Sequence, residues 1–498
     1  MIRRVLIANR GEIARRVIRT CRVMHIKTVA VFSDADAGAP HVREADEAVG
    51  LGPAPATESY LNIPKVIDAA RRTSADAVHP GYGFLSENPS FVEACEAAGV
   101  VFVGPPGPVL RAMGSKTGTR AAVAKAGVPI VPGITPRTQD PFDVAAAIRE
   151  AGLPVMLKAA GGGGGKGMRI VRREDEIDGA IESARGEARR SFGNEALYVE
   201  RLIERARHVE VQVCADRHGN AVHLFERDCT LQRRHQKVIE EAPGPTVTSS
   251  LRDRLTQAAL TVARTVGYVN AGTVEFLVDD SAGGEPRFYF LEMNTRLQVE
   301  HPITEAITGL DLVRAQLIVA DGEPLPFRQA DIGTSGHAIE CRVYAEDSER
   351  LLPQSGRLLR YREPGGDGIR IDSGVVQGQQ VTVHYDPLIA KLIAHAPTRK
   401  EAIARLLDAL DQFTILGIRH NVSFLSALLR RPEVAANTTH TRFIEEHLGE
   451  LIARPDAALR QAAAAVAARL ATPQPAAIAQ DESNAAFDPW LTLGPVRW

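Results

Sequence analysis

Residues 1 to about 115 alternate short apolar runs with stretches in which apolar residues recur at helical spacing. The runs RVLIA, TVAVF, DAVHP and VVFVG are typical of buried strands, and the segments RGEIARRVIRTCRV, ESYLNIPKVIDAARR and NPSFVEACEAAG between them are typical of helices. This alternation predicts a Rossmann-like parallel sheet with crossover helices. A dinucleotide site is not expected, because ANRGE replaces the glycine fingerprint after the first strand, and we interpret Asp34 and Asp36 as turn residues.

From about residue 116 the pattern becomes richer in strands. PVMLKAAGGGGGKGMRIVR predicts two strands around a glycine loop, ALYVERLI and HVEVQVCAD predict further strands, and SSLRDRLTQAALTVARTVGY predicts a helix capped by serine. GTVEFLVDD and FYFLEMNTR predict a β-hairpin with a longer loop. Between about 331 and 447, HAIECRVYAED, GIRIDSG and PLIAKLIAHA predict strands, and a helix begins near Lys400. The predicted fold class is therefore α/β and α+β.

The stretch EMNTRLQVEH, residues 292–301, alternates polar side chains with apolar or small ones. In an extended strand successive side chains point to opposite faces, so Glu292, Asn294, Arg296, Gln298 and Glu300 would share one face. A solvated edge strand is one interpretation of this pattern. A row of ligands for a charged molecule is the other.

Composition narrows the class of protein. The 498 residues allow two to four domains, and 59 Lys plus Arg against 61 Asp plus Glu argue against a nucleic-acid or membrane-surface partner bound through net charge. Five cysteines without a CxxC pair predict a reducing compartment, and with neither a signal peptide nor a membrane span recognised we expect a cytoplasmic protein. After about 450, Ala-rich and then Pro/Ala-rich sequence predicts a helix and a linker, and FDPWLTLGPVRW resembles the first strand of a further domain.

The glycine loop, residues 161–167, contains six glycines around Lys166. Glycines let backbone N–H groups approach phosphates closely, but the Walker A pattern is missing. We interpret the loop as a lid over phosphates, with Lys158 and Lys116 as phosphate ligands, and a plain mobile loop is the alternative.

The predicted hairpin carries Glu275 on one strand and Glu292 on the other. Antiparallel pairing would bring both carboxylates to one face, where they repel unless a cation lies between them. Asn294 adds a neutral oxygen on that face, and oxygen ligands suit Mg²⁺ or Mn²⁺. Solvated surface acids are the alternative to a metal that carries ATP phosphates.

Residues 227–245, RDCTLQRRHQKVIEEAPGP, crowd arginines, Lys237 and His235 together with Gln232. A charge run is usually a solvated face, but the interleaved polar groups and the apolar residues that follow favour an anion-binding loop. We interpret Cys229 as a spectator thiol rather than a nucleophile, because no partner for it is evident.

The motifs IANRGEIA, HPGYGFLSEN, GGGGGKGMR, ERDCTLQRRHQKVIEEAP and FLEMNTRLQVEH together resemble biotin carboxylase, the ATP-grasp component of biotin-dependent carboxylases, over residues 1 to about 447. The resemblance implies a Rossmann-like domain at 1–115, an ATP-grasp domain at 116–330 with a mobile lid at about 131–203, a C-terminal domain at 331–447, and a linker and further domain at 448–498. It also implies that ATP and bicarbonate carboxylate carrier-bound biotin, giving ADP and phosphate.

The resemblance further implies roles for individual residues. Glu275, Glu292 and Asn294 match the ligands of Mg²⁺ or Mn²⁺, with two ions expected. Lys237, Arg296, Gln298 and the backbone of Val299 match the bicarbonate contacts, Glu300 the general base, and Arg342 the residue facing the biotin ureido oxygen. Besides Glu275 and Glu292, the nucleotide contacts would be Lys116, Lys158, Gly164, Gly165, Met168, Glu200, Arg201, Ile203, His208, Gln232, His235 and Leu277.

The expected partners are a biotin carboxyl carrier domain, a carboxyltransferase subunit and a second copy in a homodimer. The biotin-attachment motif A-M-K-M is missing from these 498 residues, and FDPWLTLGPVRW resembles the segment after biotin carboxylase in propionyl- and methylcrotonyl-type α subunits. We therefore expect either a truncated α subunit or a standalone form. A carbamoyl-phosphate synthetase-like ligase and a non-catalytic nucleotide-binding module are the rival hypotheses.

Overall fold

The computed structural model describes residues 1–161, 167–281 and 283–452, together with Gln461, Ala462, Ala464 and Ala465. The chain divides into two units, Met1–Ala453 and Arg454–Trp498. The predicted linker and further domain after 448 therefore fall almost wholly outside the described residues, as do Gly164, Gly165 and Lys166 of the glycine loop.

The N-terminal region forms a five-stranded parallel sheet in the order β3-β2-β1-β4-β5. The predicted strands and helices are confirmed here, and β3 is an addition that its sequence, EAVGLG, did not indicate. Asp34 and Asp36 lie in a short 3₁₀ helix after β2, as turn residues should. The elements are β1 Arg4–Ile7, α1 Gly11–Val23, β2 Lys27–Ser33, α2 Pro40–Glu44, β3 Glu47–Gly52, α3 Ile63–Arg72, β4 Ala77–His79, α4 Pro89–Ala97, β5 Val101–Phe102 and α5 Gly107–Gly114.

A smaller antiparallel sheet follows, in the order β6-β9-β7-β8, and it packs on two helices through a core of its own. Strands β7 and β8 pair antiparallel on either side of the glycine loop, which confirms the predicted strand–loop–strand arrangement. The elements are α6 Lys116–Lys125, β6 Gly133–Ile134, α7 Pro141–Ala151, β7 Val155–Ala159, β8 Arg169–Val171, α8 Ile177–Phe192 and β9 Leu197–Arg201.

The largest sheet has eight antiparallel strands in the order β14-β13-β10-β11-β12-β15-β20-β18. It continues across residue 330, because β12 pairs with β15 from Ile239 opposite Cys341 to Ala242 opposite Ala338. The central and C-terminal regions are thereby joined through backbone hydrogen bonds. The elements of the central region are β10 Arg207–Ala215, β11 Ala221–Arg233, β12 Gln236–Ala242, α9 Ser249–Thr265, β13 Asn270–Asp279, β14 Arg287–Asn294, α10 His301–Thr308 and α11 Leu312–Ala320.

The C-terminal region adds strands to this sheet and covers it with helices, chiefly α12. The helix predicted near Lys400 begins at Arg399, after a Thr398–Glu401 capping box. The elements are β15 His337–Tyr344, β16 Gly356–Arg357, β17 Arg360–Arg362, β18 Ile369–Ser373, β19 Gln380–Val381, β20 Leu388–Ala396, α12 Arg399–Gln412, β21 Thr414–Leu416, α13 Val422–Leu429, α14 Pro432–Ala435, α15 Phe443–Glu446 and α16 Leu448–Leu451.

Three local predictions were wrong. The strand predicted over 292–301 ends at Asn294, and the chain turns through a loop into α10, which has a proline in its first turn. Residues 227–245 were predicted to form a loop, but residues 227–242 lie in the hairpin β11–β12. The cap of α9 is Thr248, whose hydroxyl accepts from the N–H of Leu251, and not a serine.

The helices and the cysteines can also be compared with the expectations from the sequence. Within the described residues, each helix is too short or too polar to serve as a membrane span. The five cysteines are all buried, and none forms a disulfide.

Candidate functional site

A cavity of about 760 Å³ opens between the small sheet, the face of the large sheet near β13 and β14, and the loop after β4. It gathers nearly all of the residues singled out in the sequence. Those lining it are Lys116, Lys158, Met168, Glu200, Arg201, Ile203, His208, Gln232, His235, Lys237, Glu275, Leu277, Glu292, Asn294, Arg296, Gln298, Val299 and Arg342. Glu300 lies just behind the wall, with 0% of its surface exposed.

The paired carboxylates lie where the hairpin was predicted to place them. Glu275 on β13 and Glu292 on β14 are direct cross-strand partners. The Asn294 amide donates to Glu275 Oε1 over 2.8 Å, and Lys116 Nζ donates to Glu292 Oε2 over 3.0 Å. Burial opposes ionisation of Glu275, but Lys237 and His208 nevertheless hold the pKa of its carboxyl well below the usual range. Two carboxylates beside an amide form an oxygen-rich donor set that fits a hard divalent cation.

Lys237 joins three carboxylates at the floor of the cavity. Its ammonium donates to Glu210 over 2.6 Å, to Glu275 over 2.8 Å and to Glu300 over 2.6 Å. Two groups of closely spaced ligand atoms lie here, one from His208, Glu210 and Glu275 and the other from Glu210, Cys229 and Glu300. The carboxylates of both groups are already bonded to this ammonium. We therefore assign neither group to a metal.

Glu300 is held between two cations. Arg342 donates to Glu300 Oε2 over 2.9 Å from the side opposite Lys237, and its Nε donates to Glu240 over 2.6 Å. Burial alone would raise the pKa of Glu300, but Lys237, Arg342 and Arg227 lower it below the usual range. The carboxylate is thus ionised at neutral pH.

Arg227 belongs to the framework rather than to the cavity. It is completely buried in β11, where Nε donates to Glu210 over 2.5 Å and the remaining N–H groups bond Gln212, Thr273 and Thr304. Sequence reasoning missed Glu210, which Arg227 and Lys237 share. Its position within the alternating EVQV of β10 is the one signal that a buried acid stands there.

Arg296 is held from the N-terminal region by Glu87, which sequence reasoning also missed. Glu87 lies in the motif HPGYGFLSEN, accepts from Arg296 Nε over 3.0 Å and accepts from the backbone N–H of Thr295 over 3.0 Å. The Arg296 guanidinium also donates to Asn294 Oδ1 over 3.2 Å. One carboxylate therefore fixes the start of the loop that follows β14.

At the other end of the cavity, Lys158 contacts Glu200 Oε2 over 2.5 Å, and Arg120 of α6 donates to the other oxygen of that carboxylate. Arg120 was not predicted, because nothing in GSKTGTRAAVAK separates it from the other exposed positions of a helix. His208 Nε2 lies 3.1 Å from Glu275, which raises the imidazole pKa although burial alone would lower it.

Cys229 is buried beside the acidic floor. Burial and the neighbouring Glu210 raise the pKa of its thiol well above the usual range. The thiol is therefore neutral at physiological pH, which agrees with the spectator role expected of it.

Comparison with known families divides the chain into three matches. The family described as "Biotin carboxylase, N-terminal domain" matches residues 1–110, "Carbamoyl-phosphate synthase L chain, ATP binding domain" matches 115–328, and "Biotin carboxylase C-terminal domain" matches 340–446. The matches on either side of the ATP-binding region thus point to biotin carboxylase rather than to a carbamoyl-phosphate synthetase.

Similar proteins agree with these matches. The biotin carboxylase of Halalkalibacterium halodurans is 49% identical, over 90% of this chain and 98% of that protein. The mitochondrial methylcrotonoyl-CoA carboxylase subunit alpha of Mus musculus is 51% identical over 91% of this chain, which spans only 63% of that subunit. The biotin carboxylase domain dimer of Hydrogenobacter thermophilus 2-oxoglutarate carboxylase, described in complex with MgADP, ADP and bicarbonate, has a TM-score of 0.87 at 42% identity, covering 92% of this chain and 100% of that one. The chain belongs to the biotin carboxylases, the ATP-grasp ligases of biotin-dependent carboxylases.

Proposed function

We propose that this chain carboxylates carrier-bound biotin with bicarbonate at the expense of ATP, as the first half-reaction of an acyl-CoA carboxylase. One observation carries the proposal. A buried carboxylate, Glu300, lies behind the cavity wall between Lys237 and Arg342, which line the cavity together with Arg296 and the Glu275–Glu292 pair. The cavity thus combines a base, anion-binding cations and a carboxylate pair suited to the metal of a nucleotide.

The proposed chemistry begins with bicarbonate, which must lose its proton to attack the γ-phosphate of ATP. Arg296 and Lys237 hold the anion next to the nucleotide, and Glu300 accepts the proton. The products are ADP and carboxyphosphate, and a closed lid over the cavity protects this short-lived species from water. The carboxyl group then passes from carboxyphosphate to the ureido nitrogen of biotin, and phosphate leaves with the proton of that nitrogen. Arg342 stabilises the negative charge that develops on the ureido oxygen during this step.

Glu275, Glu292 and Asn294 are the residues that would hold Mg²⁺ or Mn²⁺, and two ions are proposed. When bound, the metal neutralises charge on the transferred phosphoryl group. Lys116 contacts Glu292 and lines the same cavity, which supports its proposed contact with a phosphate oxygen. Lys158, His208 and His235 are the further proposed nucleotide contacts.

We also propose the domain boundaries given by the sequence, at about 115, 330 and 447. The proposed partners are a biotin carboxyl carrier domain and a carboxyltransferase subunit, with the chain itself acting as a homodimer. The Hydrogenobacter thermophilus domain described as a dimer supports the last point. A cytoplasmic location is proposed from the five unpaired cysteines.

ATP cleavage by the purified chain, measured with bicarbonate and with and without free biotin, tests the proposal. We expect cleavage to depend on bicarbonate and to be stimulated by biotin. Bicarbonate-dependent cleavage at a rate that free biotin does not change would favour a carbamoyl-phosphate synthetase-like ligase instead. ATP binding without any cleavage would favour a nucleotide-binding module.

A further inference from the structure

The loop between β14 and α10 presents Gln298 and Val299 to the cavity and leads into Glu300. Two consecutive carbonyls of this loop are held from beneath by side chains. The carbonyl of Gln298 accepts from Nδ1 of the His301 ring over 2.8 Å, and the carbonyl of Val299 accepts from Lys391 Nζ over 2.9 Å. A peptide unit is planar, so a fixed carbonyl also fixes the N–H across the same bond.

Lys391 reaches this loop from β20 and is completely buried. Its ammonium lies 3.1 Å from Glu12 of α1 and 3.8 Å from Asp372 of β18. A buried ammonium is tolerated only when it is paired and hydrogen-bonded. Here one partner belongs to the N-terminal region and the other to the C-terminal region. Lys391 is also the direct cross-strand partner of Arg342, so the loop carbonyl and the proposed biotin contact are supported by adjacent residues of one sheet.

His301 is completely buried, and its Nε2 has no hydrogen-bond partner among the described residues. Burial, reinforced by the charges of Lys391, Arg16 and Arg370, lowers the imidazole pKa well below its usual value. A neutral imidazole carries one N–H, and the 2.8 Å contact to the Gln298 carbonyl requires that proton on Nδ1. The ring is therefore a donor of fixed direction.

We propose that Lys391 and His301 are positioning residues for bicarbonate. His301 orients the peptide that carries the N–H of Val299, and Lys391 orients the next peptide, from which the Glu300 side chain extends. The proposal rests on the proposed function, because it assigns these two residues to the same bicarbonate subsite. Neither side chain contacts the substrate in this arrangement.

The kinetic test compares Lys391→Met and His301→Leu with a matched control, Arg370→Met. Arg370 belongs to the same buried ionic cluster, with Asp372 at 2.7 Å and Glu305 at 2.8 Å, but contacts neither loop carbonyl. We expect the KM for bicarbonate to rise at least about ten-fold in the first two variants, since misplacement by about 1 Å costs up to about 10²-fold. The KM for ATP should be unchanged, and Lys391→Arg should restore part of the loss.

A second measurement, hydrogen exchange, does not depend on catalytic turnover. Hydrogen exchange of the peptide covering residues 295–300 should be faster in Lys391→Met and His301→Leu and unchanged in Arg370→Met. If Lys391→Met does not fold because Glu12 is left unpaired, the double variant Lys391→Met with Glu12→Gln replaces it. Absence of bicarbonate-dependent turnover in the unmodified chain would overturn the proposed function, and with it the assignment to bicarbonate, whereas loop exchange would still measure whether the two residues position the loop. An unchanged bicarbonate KM and unchanged loop exchange in the two variants, or equal effects in Arg370→Met, would overturn the positioning roles.

Discussion

At the scale of single residues, the site contains a cluster of buried charges in which two cations each bond more than one carboxylate. Lys237 bonds three acids, and Arg342 bridges Glu240 and Glu300. Burial raises the pKa of Glu240 to about 7, whereas the two cations keep Glu300 ionised. Buried charges of this kind contribute little net stability, so their arrangement is best explained by what they bind.

Glu300→Gln should lower turnover by about 10²–10⁴-fold, because the amide keeps the shape of the side chain but accepts no proton from bicarbonate. ATP binding should survive, because Glu300 lies behind the cavity wall. Steady-state ATP cleavage and nucleotide titration measure the two effects. Glu226→Gln is the matched control, since Glu226 is equally buried but pairs with Arg252 away from the cavity. Unchanged turnover in Glu300→Gln would remove this residue from the role of base.

Arg342→Ala should impair biotin carboxylation by about 10²–10³-fold, as expected for loss of a donor to a developing oxyanion. Bicarbonate-dependent ATP cleavage without biotin should fall less, because Lys237 still holds Glu300 over 2.6 Å. Both activities are measured on the same preparation. Arg399→Ala, which removes a partner of Glu241 outside the cavity, is the control. Equal losses in both activities would argue against a role specific to biotin.

At the scale of secondary-structure elements, the local pattern of apolar and polar residues predicted most of the strands and helices. Alternating strands and helices predicted the parallel sheet, and the facing acids of the β13–β14 hairpin were paired correctly from sequence. The strand over 292–301 was overextended, because period-two alternation continues through a loop, although Pro302 already indicated a helix start.

What the pattern could not predict is contact between distant residues. Glu87 meets Arg296 across 209 positions, and Lys391 meets Val299 across 92. Glu87 lies in the motif HPGYGFLSEN and Lys391 in the apolar strand PLIAKLIAHA, but neither local sequence identifies the distant partner. Only the assembled fold shows that each is directed at the site.

The β13–β14 hairpin gives a prediction of its own, because it places Glu275 and Glu292 side by side. Glu292→Gln should raise the Mg²⁺ concentration for half-maximal ATP cleavage on the order of ten-fold, since ligand charge sets affinity for hard cations. Glu285→Gln, at the exposed turn of the same hairpin, should leave it unchanged. The measurement is a Mg²⁺ titration at saturating ATP. An equal Mg²⁺ requirement in both variants would contradict the proposed metal ligands.

At the scale of the whole molecule, burial shifts the pKa values of several titratable groups, downward for some histidines and upward for some glutamates. Burial lowers the pKa of His41 and of His79 to about 4, while burial raises the pKa of Glu12 and of Glu240 to about 7. The histidines contribute stability that is present above pH 6.5 and lost as the pH falls toward 4. The two glutamates contribute stability that is present below about pH 4.5 and lost as the pH rises through 7. The contributions of these two sets to stability therefore oppose each other between about pH 4.5 and 6.5.

Replacing one of the buried histidines should change how the free energy of unfolding depends on pH. In His41→Phe no imidazole has to be kept neutral, so the free energy of unfolding relative to the unmodified chain should increase by about 3 kcal/mol as the pH falls from 7 to 4. Urea titrations at several pH values measure this difference. His25→Phe, which replaces an exposed histidine, is the control variant. A pH-independent difference for His41→Phe would mean that its imidazole titrates in the folded protein as it does in the unfolded chain, and that burial at this position is not what keeps it neutral.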